Sequence, residues 1–226
     1  MDFNNKVYRT LKIFGLDIWI TDTLVSSWII IFCLFIFALT VNILLKNFKL
    51  IPKGFQNFIE LIVESIDKMT CSNMGEKYSF FGGWFFTVFA FLFCSNLAGL
   101  FGLRPPTADL ATTLMFALTT FFLIHTMGII SSGKNYFKSY IEPFPLLLPI
   151  NIIGEIATPI SLSFRLFGNI FGGLVIMGMV YSIFPLLLSF GIPGVLHIYF
   201  DVFSGALQAF IFVILSMTFI KNKISD

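Results

Sequence analysis

Long apolar stretches alternate with short polar breaks along this chain. Thr23–Leu45 contains no charged residue and ends against Lys46, and Tyr78–Leu103 is also free of charge. Leu110–Gly133 carries only His125. Each stretch exceeds the roughly 20 residues that a membrane-crossing helix needs. Pro105-Pro106 separates the second from the third and cannot continue a helix comfortably. Asp109 stands at the start of the third, where a carboxylate suits the positive end of a helix. The last region, Pro145–Ile220, is longer than the roughly 40 residues of two straight spans. Its break is expected at Phe184-Pro185 or across Gly191-Ile192-Pro193-Gly194. That leaves helices near 150–183 and 195–220, long enough to demand strong tilt. Between the first two spans, Phe55, Phe58, Ile59, Ile62 and Ile66 recur at helical spacing, with Glu60, Glu64 and Asp67 opposite them. This spacing predicts an amphipathic helix lying along the membrane interface.

The expected fold class is therefore an all-α integral membrane protein with five membrane-spanning helices plus an interfacial amphipathic helix. It is a single membrane domain over 1–226: an N-terminal segment 1–22, a first span 23–45, an interfacial helix 54–70, a helix hairpin 78–133 and a long hairpin 145–220. Composition agrees. The chain is 57% hydrophobic and 12% charged, with 31 Phe, whereas soluble domains are about a quarter charged. The net charge of +2 gives no reason to expect a nucleic-acid partner. Cys33, Cys71 and Cys94 have no metal spacing and read as small packing residues. No metal, nucleotide or nucleophile motif stands out, so no cofactor and no catalytic residue are expected. Residues 1–22 lack the features of a cleaved signal and are expected to stay in the mature protein.

Positive charge sets an orientation. Lys46, Lys49 and Lys53 follow the first span, Lys134 and Lys138 the third, and Lys221 and Lys223 the last. The positive-inside rule puts these on the cytoplasmic side, with the N-terminus outside.

From Phe144 to Ile220 the formal charges are Glu155, Arg165 and Asp201. A guanidinium cannot shed its proton, and at mid-membrane it costs about 2.5–3.5 kcal/mol on an insertion scale. Such a residue calls for an anionic partner. Ser161, Arg165, Gly168, Asn169 and Gly172 share one helix face, and its small residues would let another helix come close. Glu155 lies ten residues earlier, about 15 Å along the helix, and is not a natural partner for Arg165. On the last helix His197, Asp201, Ser204, Gly205 and Gln208 form a second strip, with Asp201 and Gln208 expected on one face. His197 and Asp201, four apart, have the spacing of a proton relay. His125 reads as a lone packing residue.

The run Pro159-Ile-Ser-Leu-Ser-Phe-Arg-Leu-Phe-Gly-Asn-Ile-Phe-Gly-Gly173 closely resembles the signature of subunit a of F-type ATP synthases. Leu207–Phe212 resembles that subunit's last helix, and Pro106–Leu110 its loop before the third span. The first 75 residues match only in topology. The resemblance implies the membrane (Fo) stator subunit, set against a rotating ring of c subunits with a b-type peripheral stalk. It also implies two half-channels for H+ or Na+. A multi-pass protein of the bacterial inner membrane is expected, and an organelle-encoded one would look the same. Arg165 matches the family's essential arginine, Asn169 the asparagine four residues on, and Gln208 the glutamine facing the arginine. Glu155 matches, approximately, an acidic residue of the cytoplasmic half-channel. Asp201 falls where the family has an ionisable group of the other half-channel, with His197 beside it. Ser161, Gly168 and Gly172 would pack against the ring. Some members carry an acidic residue or His nine positions after the arginine, where this chain has Leu174.

Two other readings compete. A secondary transporter would use Glu155, Arg165 and Asp201 to hold an anion, but the chain has no inverted repeat. A purely structural subunit leaves the cost of Arg165 unexplained.

Overall fold

The computed structural model describes residues 7–13, 16–44, 54–133, 136, 138, 140, 144, 146, 148–183 and 191–224. Lys46, Lys49, Lys53, Lys134 and the Phe184-Pro185 break lie outside the described residues. The described segments contain five helices long and apolar enough to cross a membrane: Asp22–Leu44, Glu76–Phe101, Leu110–Ser132, Leu148–Ser182 and Pro193–Ile224.

The elements run in order as β1 (Val7–Ile13), β2 (Leu16–Thr21), α1 (Asp22–Leu44), α2 (Phe55–Met74), α3 (Gly82–Leu97) and α4 (Leu110–Ser132). Then come α5 (Leu148–Ile183) and the composite last helix α6, which is α-helical over Ile192–His197, a π-helix over Ile198–Ser204 and α-helical again over Gly205–Ile224. Stretches of 3-10 helix at Glu76–Phe81 and Ala98–Phe101 extend α3 at both ends. The all-α class describes the membrane part. The addition is an antiparallel hairpin, β1–β2, in the N-terminal segment. No element was expected in this segment, whose residues mix charged, polar and apolar types.

Local chemistry explains the boundaries. Asp109 caps α4 by accepting from Ala111 N at 3.2 Å, and it also accepts from Thr23 Oγ1 at 3.3 Å, tying α1 to this corner. Helix α2 is amphipathic, running four residues beyond the expected end at 70. Asp67 turns its carboxylate onto Gly82 at the start of α3, where a Cβ would collide with it. Helix α5 has 36 residues, about 54 Å of rise. That is nearly twice the ~30 Å hydrocarbon thickness, so it must lie strongly tilted.

The core gathers where α3, α4, α5 and α6 meet. Phe85, Leu92, Ala117, Leu162, Leu166, Phe212, Val213 and Met217 are almost fully buried there. Helix α1 stands largely outside this core, with Trp28, Phe32 and Phe35 exposed, as suits a lipid-facing surface. Among the buried atoms, Thr113 Oγ1 and Ser163 Oγ lie 3.1 Å apart, joining α4 to α5. Asn96 donates to the Gly205 carbonyl at 2.8 Å and accepts from Thr107 at 2.7 Å, joining α3 to α6. These bonds satisfy polar groups that lipid cannot.

Candidate functional site

Helices α5 and α6 are antiparallel, and three contacts define their register. Glu155 meets Lys223 at one end, Asn169 meets Ser204 midway, and Tyr181 meets His197 at the other end. This register brings Gln208 to the depth of Arg165. It also divides the polar residues into three levels.

At the middle level, Arg165 is exposed on the outer surface of the chain. Among the described residues none hydrogen-bonds or ion-pairs with it. It borders a shallow cavity of about 200 Å³ with Gly154, Ala157, Thr158, Ser161 and Phe219. Ser161 and Gly168 are exposed beside it, Gly172 is half-buried, and a Cβ on either glycine would meet nothing within 4 Å. Among the described residues, nothing therefore packs closely against the glycines of this strip. Asn169 departs from the strip and turns toward α6. It accepts from Ser204 Oγ at 2.7 Å and donates to the Ser204 carbonyl at 3.3 Å. Gln208 is buried, 6% exposed, and its Nε2 has no hydrogen-bond partner among the described residues. At the same depth as Arg165, it faces the bundle interior while the arginine faces out.

At the far level, three groups form a line. Tyr181 Oη lies 3.0 Å from His197 Nε2, and His197 Nδ1 lies 2.6 Å from Asp201 Oδ2. The Asp201 carboxylate rests against Gly99, where a Cβ would sit 3.2 Å from Oδ2. The π-helical turn holds Asp201 in this position, and such turns recur at functional sites. It also changes the expected geometry. Seven residues from Asp201 to Gln208 would share a face in an unbroken α-helix, but the wider turn rotates the helix beyond it. Tyr181 was not among the expected site residues; only its placement across the hairpin reveals it.

At the near level, Glu155 Oε1 is 2.6 Å from Lys223 Nζ, and Oε2 is 4.0 Å from His125 Nε2. Lys223 also donates to Tyr140 Oη at 3.2 Å, which lies 2.7 Å from Tyr136 Oη. Burial, then the bond between the two hydroxyls, pushes Tyr136 up; burial pushes Tyr140 up, reinforced by the Glu155 charge. Both stay neutral hydrogen-bonding groups. His125, expected as a lone packing residue, stacks near Phe121 and stands beside the carboxylate. As its spacing indicated, Glu155 is no partner for Arg165.

The chain as a whole is similar to known proteins. The family model for the ATP synthase A chain matches residues 24–221. Subunit a, sodium ion specific, of the ATP synthase of Propionigenium modestum is 37% identical over 228 residues, covering 92% of this chain and 75% of that one. The chloroplastic subunit a of Oedogonium cardiacum is 37% identical over 217 residues, covering 91% and 83%. Subunit a of Moorella thermoacetica is 35% identical over 219 residues, covering 95% and 96%. The chain belongs to the ATP synthase A chain family, as a multi-pass, non-catalytic membrane subunit with an ion-translocating role in ATP synthesis.

Proposed function

We propose that Arg165 is the charge that moving carboxylates of a c-subunit ring meet as they pass this stator, and that the levels on either side of it belong to two half-channels. The observation that carries this reading is the outward-facing guanidinium without a polar partner among the described residues of its own chain, beside a strip of small residues left open. A fixed cation lowers the pKa of an approaching carboxylate and so releases its ion. The same charge repels an ion trying to pass directly between the half-channels. Each charge that crosses delivers about 2.3 kcal/mol per 100 mV.

In this reading Glu155 serves the cytoplasmic half-channel. Asp201, with His197 and Tyr181, serves the outer one, and Leu174 takes no part. Asn169 braces α5 against α6 beside the arginine, Gln208 lies behind it, and Ser161, Gly168 and Gly172 accept the ring. A b-type stalk and the rest of the synthase complete the assembly, in the bacterial inner membrane with the N-terminus outside and the C-terminus cytoplasmic. The coupling ion is H+ or Na+. No observation favours a secondary transporter.

The test is ion flux through the reconstituted complex, with and without sodium. Arg165→Ala is expected to abolish coupled flux, and Arg165→Lys not to restore it fully, because a buried ammonium can lose its proton. Normal ATP synthesis by Arg165→Ala from an ion gradient would overturn the proposal.

A further inference from the structure

The Glu155 carboxylate is not free. Lys223, two residues after the exposed Lys221 on α6, reaches back to within 2.6 Å of Oε1, and the two side chains are 23% and 21% exposed. The ammonium is fixed from other directions as well. It lies 4.7 Å above the Tyr140 ring and 5.8 Å from the Tyr136 ring, and it donates to Tyr140 Oη. Tyr136 in turn lies so close to Gly128 that a Cβ there would collide with its ring. Four parts of the chain thus converge on one ion pair: α4 through His125 and Gly128, the segment after α4 through Tyr136 and Tyr140, α5 through Glu155 and α6 through Lys223.

A carboxylate bonded to a caged ammonium does not behave like a solvated one. Removing one partner of such a pair leaves an uncompensated charge, whereas removing both is far milder. Among the described residues, the titratable and charged groups facing Glu155 are His125, Tyr136, Tyr140 and Lys223.

We propose that Lys223 is a positioning residue of the ion path, holding the Glu155 carboxylate in one place at its end of the hairpin. This rests on the half-channel role proposed for Glu155, and it adds a residue from the far end of the chain to that half-channel.

The experiment is ATP-driven proton pumping by the intact complex in inverted vesicles. Lys223→Gln is expected to slow pumping about tenfold, as loss of a charged hydrogen bond implies. Lys223→Arg keeps pumping near the wild-type rate, and with Glu155→Gln in place Lys223→Gln is expected to add no further loss. Wild-type pumping by assembled Lys223→Gln complex overturns the proposal. If Lys223→Gln instead fails to assemble with the ring, the double variant Glu155→Gln/Lys223→Gln is expected to restore assembly. Failure to restore it overturns the coupling. Arg165→Ala in the same vesicles keeps the two ideas apart: pumping by that variant sinks the channel reading itself, whatever Lys223 does.

Discussion

Arg165 and Asp201 are both charges in apolar sequence, yet their surroundings set them opposite tasks. Arg165 has no polar partner among the described residues and faces outward, so its charge is available to something else. Asp201 is held by His197 and pressed against Gly99, so its charge is committed to a hydrogen-bonded line. Breaking that line at different points has different expected outcomes. Asp201→Asn is expected to slow ion flux about tenfold or more, as loss of a charge-assisted hydrogen bond of ~1.5–3 kcal/mol implies. Tyr181→Phe removes the outermost hydroxyl alone and is expected to slow it less. Equal rates for Asp201→Asn and wild-type complex would remove Asp201 from the path. Leu174 is half-buried and offers no ionisable group in place of either residue.

Among elements, the glycines separate two kinds of close approach. At Gly205 a Cβ would lie 2.9 Å from Asn96 Cβ, so α3 and α6 touch there through backbone and the Asn96–Gly205 bond. Gly205→Val is expected to destabilise the isolated subunit by about 1–3 kcal/mol, from the strain of overpacking, read as a lower thermal midpoint in detergent. At Gly168 a Cβ meets nothing. Gly168→Val is expected to leave that midpoint unchanged while impairing ring-coupled flux. A variant that lost stability without touching flux would contradict this division. Pro159 acts within α5: it lacks the N–H that would bond the Glu155 carbonyl. The helix is thereby weakened near the residue that Lys223 clamps.

For the whole molecule, the five candidate spans among the described residues predict that the two ends of the chain lie on opposite sides of the membrane. With the native cysteines replaced, single cysteines at Lys12 and Lys221, both exposed, are expected to react with an impermeant thiol reagent from opposite faces, Lys221 from the cytoplasmic one. Labelling of both from one face would refute the five-span topology. The spans were legible because apolar length and the absence of charge are properties of contiguous sequence, and a bilayer reads them directly. Arg165 was legible for the same reason: a permanent charge in an apolar run demands an explanation wherever the chain folds. Tyr181, Tyr140 and Lys223 carried no such signal. A tyrosine or a terminal lysine is ordinary at the end of a span, and only the antiparallel register of α5 and α6 sets Tyr181 against His197 and Lys223 against Glu155. The outward face of Arg165 and the inward face of Gln208 were likewise undecided, since helical spacing groups residues by face but does not say which face meets a neighbour. Sequence by itself therefore determined the membrane class, the spans and the charge that is costly to place among them, because those depend on transfer energies along the chain. Tertiary structure decided which charges are already partnered and which remain open, because pairing depends on distances between segments that no local pattern encodes.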